Sequence, residues 1–253
     1  MKKQFLFLLV SFWFLILNAQ NNNIFLNYTD SNNQKQGYWE EKLSNIVVYK
    51  GYYVNGKKEG CWATLHPNGM VYKMEGYIND KKQGVAVTLN DKGYLAGEQF
   101  YKDDLLDGSI KQYSNIGRVK SNIEYKKGVP EGFKNIYYDN GKLQEESYSI
   151  NNLKNGAAKW YNEKGILIAA YNYKNGVLEG IQKTYYPIGS IEKEENYENN
   201  IQTKEYKEYF ENGKTKLSGA FEKGQKNGEW IEYKDDGSIL KKTIFKNGIE
   251  KKK

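Results

Sequence analysis

The side chains able to do chemistry are few, and none has the neighbours that chemistry requires. His66 is the only histidine, so no pair of imidazoles can share a metal and no second imidazole can serve as a base. It stands beside the turn Pro67-Asn68-Gly69, where a surface histidine is the expected reading. Cys61 is the only cysteine; it can form no internal disulfide, and no second thiol or unit-specific acid stands near it in sequence to activate it. The acidic pairs Asp103-Asp104 and Asp235-Asp236 have turn chemistry, not the oxygen-rich spacing of a calcium loop. Asn55 to Gly60 and Asn175 to Gly180 share the form Asn-Gly-x-x-x-Gly, yet no Lys-Ser or Lys-Thr ending and no helical pattern follows, as a phosphate loop demands. The remaining carboxylates are scattered at repeat addresses, so no acid–base pair of a hydrolase stands out. No catalytic, cofactor-binding or metal site is expected, and the chain reads as non-enzymatic.

What the chain does hold in quantity is aromatic surface, with 23 tyrosines, 10 phenylalanines and 5 tryptophans. These rings occupy fixed addresses in a 24-residue unit, which Gly156 to Glu179 displays clearly. Glycine opens the unit at 60, 84, 108, 132, 156, 180 and 228, Lys204 takes that place once, and a second glycine falls nine residues later. A period between about 20 and 50 residues marks a repeat array. Five residues after the opening come Leu65, Leu89, Tyr113, Tyr137, Tyr161, Tyr185, Tyr209 and Tyr233; eleven after it stand residues such as Val71, Leu143 and Leu167. Seventeen after it come Tyr77, Tyr101, Tyr125, Tyr173, Tyr197, Phe221 and Phe245, with Ser149 the one interruption. All three addresses are odd, and side chains alternate faces along a strand, so the pattern is that of strands with the columns expected on one face.

The turns agree with that period. Pro67-Asn68-Gly69, Asp139-Asn140-Gly141 and Glu211-Asn212-Gly213 suit three-residue hairpin loops with a left-handed glycine, which pairs residue five with residue eleven. The second turn, at Asn79-Asp80, Lys127-Gly128 or Asn175-Gly176, suits two residues of positive φ. A plain two-residue loop there would return the next unit with its faces reversed, so one extra residue must be absorbed, and the opening glycine is the expected bulge. About nineteen strands follow: one from an N-terminal half-unit, residues 20–36, and two from each of nine units over residues 37–251.

The net charge of +7 includes Lys2 and Lys3, which precede the apolar run Phe5 to Leu17 and the small residue Ala19. That is the make-up of a secretory signal over residues 1–19, cleaved after Ala19; its 13 apolar residues fall short of the ~20 that span a membrane. Without it the charge is mildly basic and interleaved with glutamate, which argues against nucleic acid. Residues 252–253 form a basic tail. The secreted, periplasmic or envelope compartment is expected, with no transmembrane span after cleavage.

NGKKEG at Asn55 to Gly60 and NGVLEG at Asn175 to Gly180, each followed by the aromatic columns, resemble the MORN repeat. The likeness is greatest to the bacterial variant in proteins labelled YwqK-type antitoxins, and the opening Asn27 to Trp39 is similar to the start of exported members of that group. The resemblance covers nearly the whole mature chain, although most second runs lack the Tyr-x-Gly-x-Trp form frequent in the family. It implies an all-β, elongated antiparallel sheet of tandem hairpins, no shared catalytic residues, and roles in protein assembly, membrane attachment or acidic-lipid binding. The functional expectation is an exported scaffold that binds a protein or envelope partner through its aromatic face, with Tyr137, Trp160, Tyr161 and Tyr185 as contact residues. An antitoxin or immunity role, and lipid or glycan binding in the envelope, are the alternatives.

Overall fold

The computed structural model describes residues 26–251; the signal segment 1–19, the first residues of the half-unit and the tail at 252–253 lie outside them. All regular structure among the described residues is β. Each strand pairs antiparallel with the next in one continuous ladder, from Tyr28–Thr29 on Lys35–Leu43 to Ile239–Lys246 on Ile249–Glu250. Four first runs are split by a bulge into a two-residue stub and a six-residue strand, as in Leu153–Lys154 and Gly156–Tyr161. Counting each such pair as one strand leaves the expected nineteen plus the terminal stub Ile249–Glu250.

Local sequence explains both turns. In the Gly156 unit the first loop closes between the Asn162 amide and the Ile166 carbonyl (2.9 Å). The Asn162 side chain accepts from the amides of Lys164 and Ile166, and Gly165 takes φ 83°, a conformation open to glycine at no steric cost. The second turn places Asn175 and Gly176 both at positive φ, 50° and 84°, the two-residue geometry whose twist matches a hairpin.

Turns of successive units are tied together. The amide of the second turn residue donates to a carbonyl of the preceding unit, as Asp80 to Lys58 (3.0 Å), Gly176 to Lys154 (2.8 Å) and Gly248 to Lys226 (2.9 Å). In five units the residue just before the opening glycine caps the following turn, as where Glu59 accepts from the Asn79 amide (2.9 Å) and Glu179 from the Asn199 amide (3.0 Å). That is why Glu, Gln or Asp so often precedes the opening glycine.

The parity correction lies elsewhere than expected. Opposite the opening glycine, Tyr52 pairs with Glu59 and Lys50 with Ala63, so residues 60–62 face Gly51 alone and the register steps by two, which preserves the faces. The one-residue step is at the first turn, where Thr64 pairs with Lys73 but Leu65 with Val71, leaving Tyr72 as the extra residue. The same step recurs beside Trp160 and Tyr161 and in the other units. A single-residue bulge exchanges faces, so the columns five and eleven residues after the opening lie on the opposite face from the column at seventeen. The expectation of one shared face is thereby corrected.

One face is packed. Trp62 is fully buried, with Tyr53 and Tyr77 beside it and Trp39 and Tyr49 against them. A second aromatic cluster near the C-terminal end joins Trp230 to Tyr206, Phe221 and Phe245. Lysines two residues before the opening glycine lie over these rings, Lys58 at 4.6 Å from Tyr49 and Lys226 at 4.1 Å from Trp230, contacts favoured by the ring quadrupole. Between the clusters the same address carries Ala86, Ala158 and Gln182, all buried. Glu75 is also buried there; burial works to raise its pKa, but the Lys73 and Lys82 ammonium groups at 2.8 and 2.7 Å hold it below the usual carboxylate range.

Lys204 supplies a direct test of the opening position. Its φ is 59°, whereas glycine occupies that address elsewhere at φ 71° to 133°. A left-handed conformation costs a side-chain-bearing residue ~1–2 kcal/mol, against roughly 0.5–1 kcal/mol of extra chain entropy lost by glycine. Lys204→Gly is expected to stabilise by about 0.5–1 kcal/mol, since the exposed Lys204–Glu198 ion pair contributes little. Urea melts of the two proteins measure it, and a lower midpoint for the variant contradicts the assignment.

Candidate functional site

The face opposite the packed one carries apolar side chains that no other described residue covers. In the Gly132 unit Phe133 and Tyr148 pair across the hairpin with their rings edge to face at 5.1 Å, and Ile150 and Leu153 pair beside the second turn. Phe133 is 56% exposed and Leu153 48%, with Ile150 and Tyr148 also exposed. The address of Tyr148 is informative. The column seventeen residues after the opening is interrupted at Ser149, and the ring stands one residue earlier, which in a strand moves it to the other face.

An open cleft of about 530 Å³ adjoins this patch, lined among others by Lys102, Asp107, Ser109, Glu124, Lys126 and Lys127. The Glu124 carboxylate joins the two by accepting the Phe133 amide (2.9 Å), and Lys126 pairs with Glu131 at 3.0 Å. The lining therefore mixes both charges beside a set of exposed rings.

Tyr161 lies on this open face. Its hydroxyl donates to Glu146 (2.8 Å), and Lys159 donates to the same oxygen (2.9 Å). The Lys159 contact holds the Glu146 carboxyl below its ordinary pKa, while burial, then Glu146, raises the Tyr161 phenol. The phenol is thus held protonated and the carboxylate ionised, a structural tie and not a base poised near neutrality. Equivalent ties stand two units away on each side, at Glu98 with Lys111 and Tyr113 and at Glu194 with Tyr209. Tyr137 shares the open face with Phe133 by strand alternation within Val129–Tyr137, and Tyr185 occupies the matching address beside Lys183. Trp160 does not join them. It packs on Tyr171 at 5.3 Å under the Lys154 ammonium (4.9 Å), on the packed face. The structure thus brings Tyr137, Tyr161 and Tyr185 to the open face and Trp160 to the packed one, and adds Phe133 and Tyr148, which belong to no column, to the open face.

Cys61 is an exposed free thiol whose pKa is pushed up by partial desolvation. His66 meets the edge of Tyr72 at 5.1 Å, and its Nε2 is buried without a hydrogen-bond partner. Among the described residues no group of three or more His, Cys, Asp or Glu side chains could hold a metal ion, and no helix is long and apolar enough to cross a membrane.

Hairpins repeating every 24 residues from Gly60 onward, tied to one another through their turns, define a tandem β-hairpin repeat array. Residues 135–151, 154–175, 178–199 and 226–247 match the family described as the MORN repeat variant, so these four stretches are similar to MORN repeats. Among curated proteins no match is found. Among solved structures, one described as the crystal structure of TcdB2-TccC3 is similar over 83% of this chain and 14% of that chain, at 12% identity and a TM-score of 0.16. So small a share at so low a score carries no argument.

Proposed function

We propose that the chain is an exported, non-enzymatic repeat scaffold that binds a protein partner through the open face of its sheet, centred on Phe133, Tyr148, Ile150 and Leu153. The observation that carries this reading is the cluster of uncovered apolar side chains in the middle of the array. Contiguous exposed apolar surface rimmed by polar residues marks interaction sites, and aromatic anchors supply most of the energy where such surfaces bind. The mixed charges of the adjoining cleft and the Tyr161, Glu146 and Lys159 tie form the polar rim. Export rests on Lys2, Lys3, the Phe5 to Leu17 run and Ala19, and an N-terminus beginning at Gln20 on the protein recovered outside the cytoplasm tests it.

The test of the face uses affinity capture from the cell envelope of the source organism with the chain and its double variant Phe133→Asp/Tyr148→Asp. Both positions are exposed, so the variant should keep its melting midpoint while the specifically retained protein falls at least about tenfold. Unchanged retention by the double variant, with loss on substitution of Tyr113 or Tyr209 instead, would move the site along the face and contradict the assignment.

A further inference from the structure

Charged pairs cross the open face at equal spacing. Residues that stand directly opposite one another form one unbroken row over ten strands in the middle of the ladder, from Glu98 to Lys207. Within it Glu98 stands beside Lys111, Glu146 beside Lys159 and Glu194 beside Lys207. Successive glutamates are 48 residues apart, which is four strands, or about 19 Å at the usual strand spacing. The side chains are paired within the chain yet still meet solvent, Lys159 at 42% and Glu146 at 34% exposure. A surface laid over them therefore meets an ordered line of charge. That line is symmetric about its middle pair with the signs exchanged: Glu98 corresponds to Lys207, Lys111 to Glu194 and Glu146 to Lys159. Lys183 corresponds to Asn122 and Asn135 to Ala170, so no like charges coincide. A row that mirrors itself with reversed sign is complementary to its own copy.

We infer that the open face pairs with the open face of a second copy of this chain, about a two-fold axis that runs along the strand direction between Glu146 and Lys159. Such an axis keeps every row at its own level and reverses the order of the strands. Each Glu–Lys pair then lies over a pair of the other copy in the opposite order. Four charges close a network there, which contributes more than an isolated surface pair and fixes the register. The neighbouring rows fit the same operation. Tyrosine and leucine alternate from strand to strand at the level of Tyr161, so Tyr161 faces Leu143 of the other copy and Tyr137 faces Leu167. The exposed Tyr148 ring comes over the small Ala157, and Ile150 over Leu153.

The other charged pairs cannot carry the axis. Centred on Glu98 and Lys111 it sets Lys50 against Lys159, and centred on Glu194 and Lys207 it sets Lys159 against Lys242, where like charges oppose. Ten strands about 4.8 Å apart and about 20 Å long present on the order of 900 Å² of face per copy, against the roughly 800 Å² that a stable interface takes from each partner. The pairing is isologous and closes at two copies. It rests on the reading of the open face as the binding surface and names what binds there.

Sedimentation equilibrium tests it with exchanges that keep opposite charges beside each other within the chain. Glu98→Lys/Lys111→Glu sets like charges against Lys207 and Glu194 of the other copy, and Glu194→Lys/Lys207→Glu does the same from the other side. The unaltered chain is expected to dimerise at micromolar concentration. Each outer exchange should weaken the dimer at least tenfold with an unchanged circular dichroism spectrum, and an equimolar mixture of the two variants should regain the affinity to within about threefold, because opposite charges again meet. Exchanging the middle pair, Glu146→Lys/Lys159→Glu, keeps opposite charges across the axis and should leave the dimer intact. A dimer indifferent to the outer exchanges, or a mixture that stays monomeric, overturns the inference. A monomeric unaltered chain also overturns it: if Phe133→Asp/Tyr148→Asp still loses a captured protein of another sequence, the open face stands as the binding surface, and if it loses nothing, that reading falls as well.

Discussion

Replacing Trp62 by alanine is expected to cost about 3–5 kcal/mol, the range for removing a buried tryptophan. The side chain is 0% exposed. Its ring meets Tyr49 at 4.7 Å and Tyr53 at 4.8 Å, Lys58 lies over it at 5.1 Å, and its Nε1–H donates to the Tyr52 carbonyl at 3.1 Å. Alanine would remove all of these and leave the flanking rings facing a void that neighbouring strands cannot close. Because each unit of an array contacts only its neighbours, the loss should be local. Hydrogen exchange should accelerate through the first three units while residues 204 to 246 keep their protection. A uniform acceleration along the chain, or an unchanged denaturation midpoint, contradicts this placement of the core.

The second large effect comes from a residue without a side chain. Gly219 lies beneath the Trp230 indole, and a Cβ built on it would overlap the ring, as one on Gly51 would overlap Trp62. Gly219→Val is expected to destabilise by about 2–3 kcal/mol through overpacking. The cause is testable by a double-mutant cycle: in a Trp230→Ala background the valine meets a cavity, so its cost should fall by more than half. Strict additivity of the two substitutions would show that the penalty arises from the backbone and not from the indole.

These two sites mark where sequence reading succeeded and where it stopped. The unit, its two turns and the strand count were legible because the left-handed positions demand glycine or asparagine, and so write the period directly into the chain. Gly165, Asn175 and Gly176 adopt the expected conformations. The faces were not legible. A one-residue step at Tyr72 and its equivalents changes which face every later side chain meets, yet an extra residue in a bulge has no type of its own. The expected bulge at the opening glycine exists, but its two-residue step leaves parity unchanged. The packing address of Trp62, Ala86, Ala158 and Trp230, two residues after the opening, was missed because its residue types vary. Tryptophan fits there where the preceding strand offers glycine, Gly51 under Trp62 and Gly219 under Trp230.

The candidate site was half legible for the same reason. Tyr137, Tyr161 and Tyr185 stand out as a column, and strand alternation brings them to the open face. Trp160 carries an even address and goes to the packed face with Tyr171. Phe133 and Tyr148 belong to no column, yet Ser149 gave the sign: where a packing ring is missing at its own address and present one residue earlier, it has been moved across the sheet.

The central physical claim is that stability is passed from hairpin to hairpin along one ladder, with no core shared by the whole chain. Small-angle scattering of the chain from Gln20 onward tests it most directly. Twenty strands at ~4.8 Å make a ladder on the order of 90 Å before twist shortens it, so a radius of gyration of about 25 Å and an asymmetric distance distribution are expected. A symmetric distribution with a radius of gyration near the ~17 Å of a compact domain of this length would contradict it.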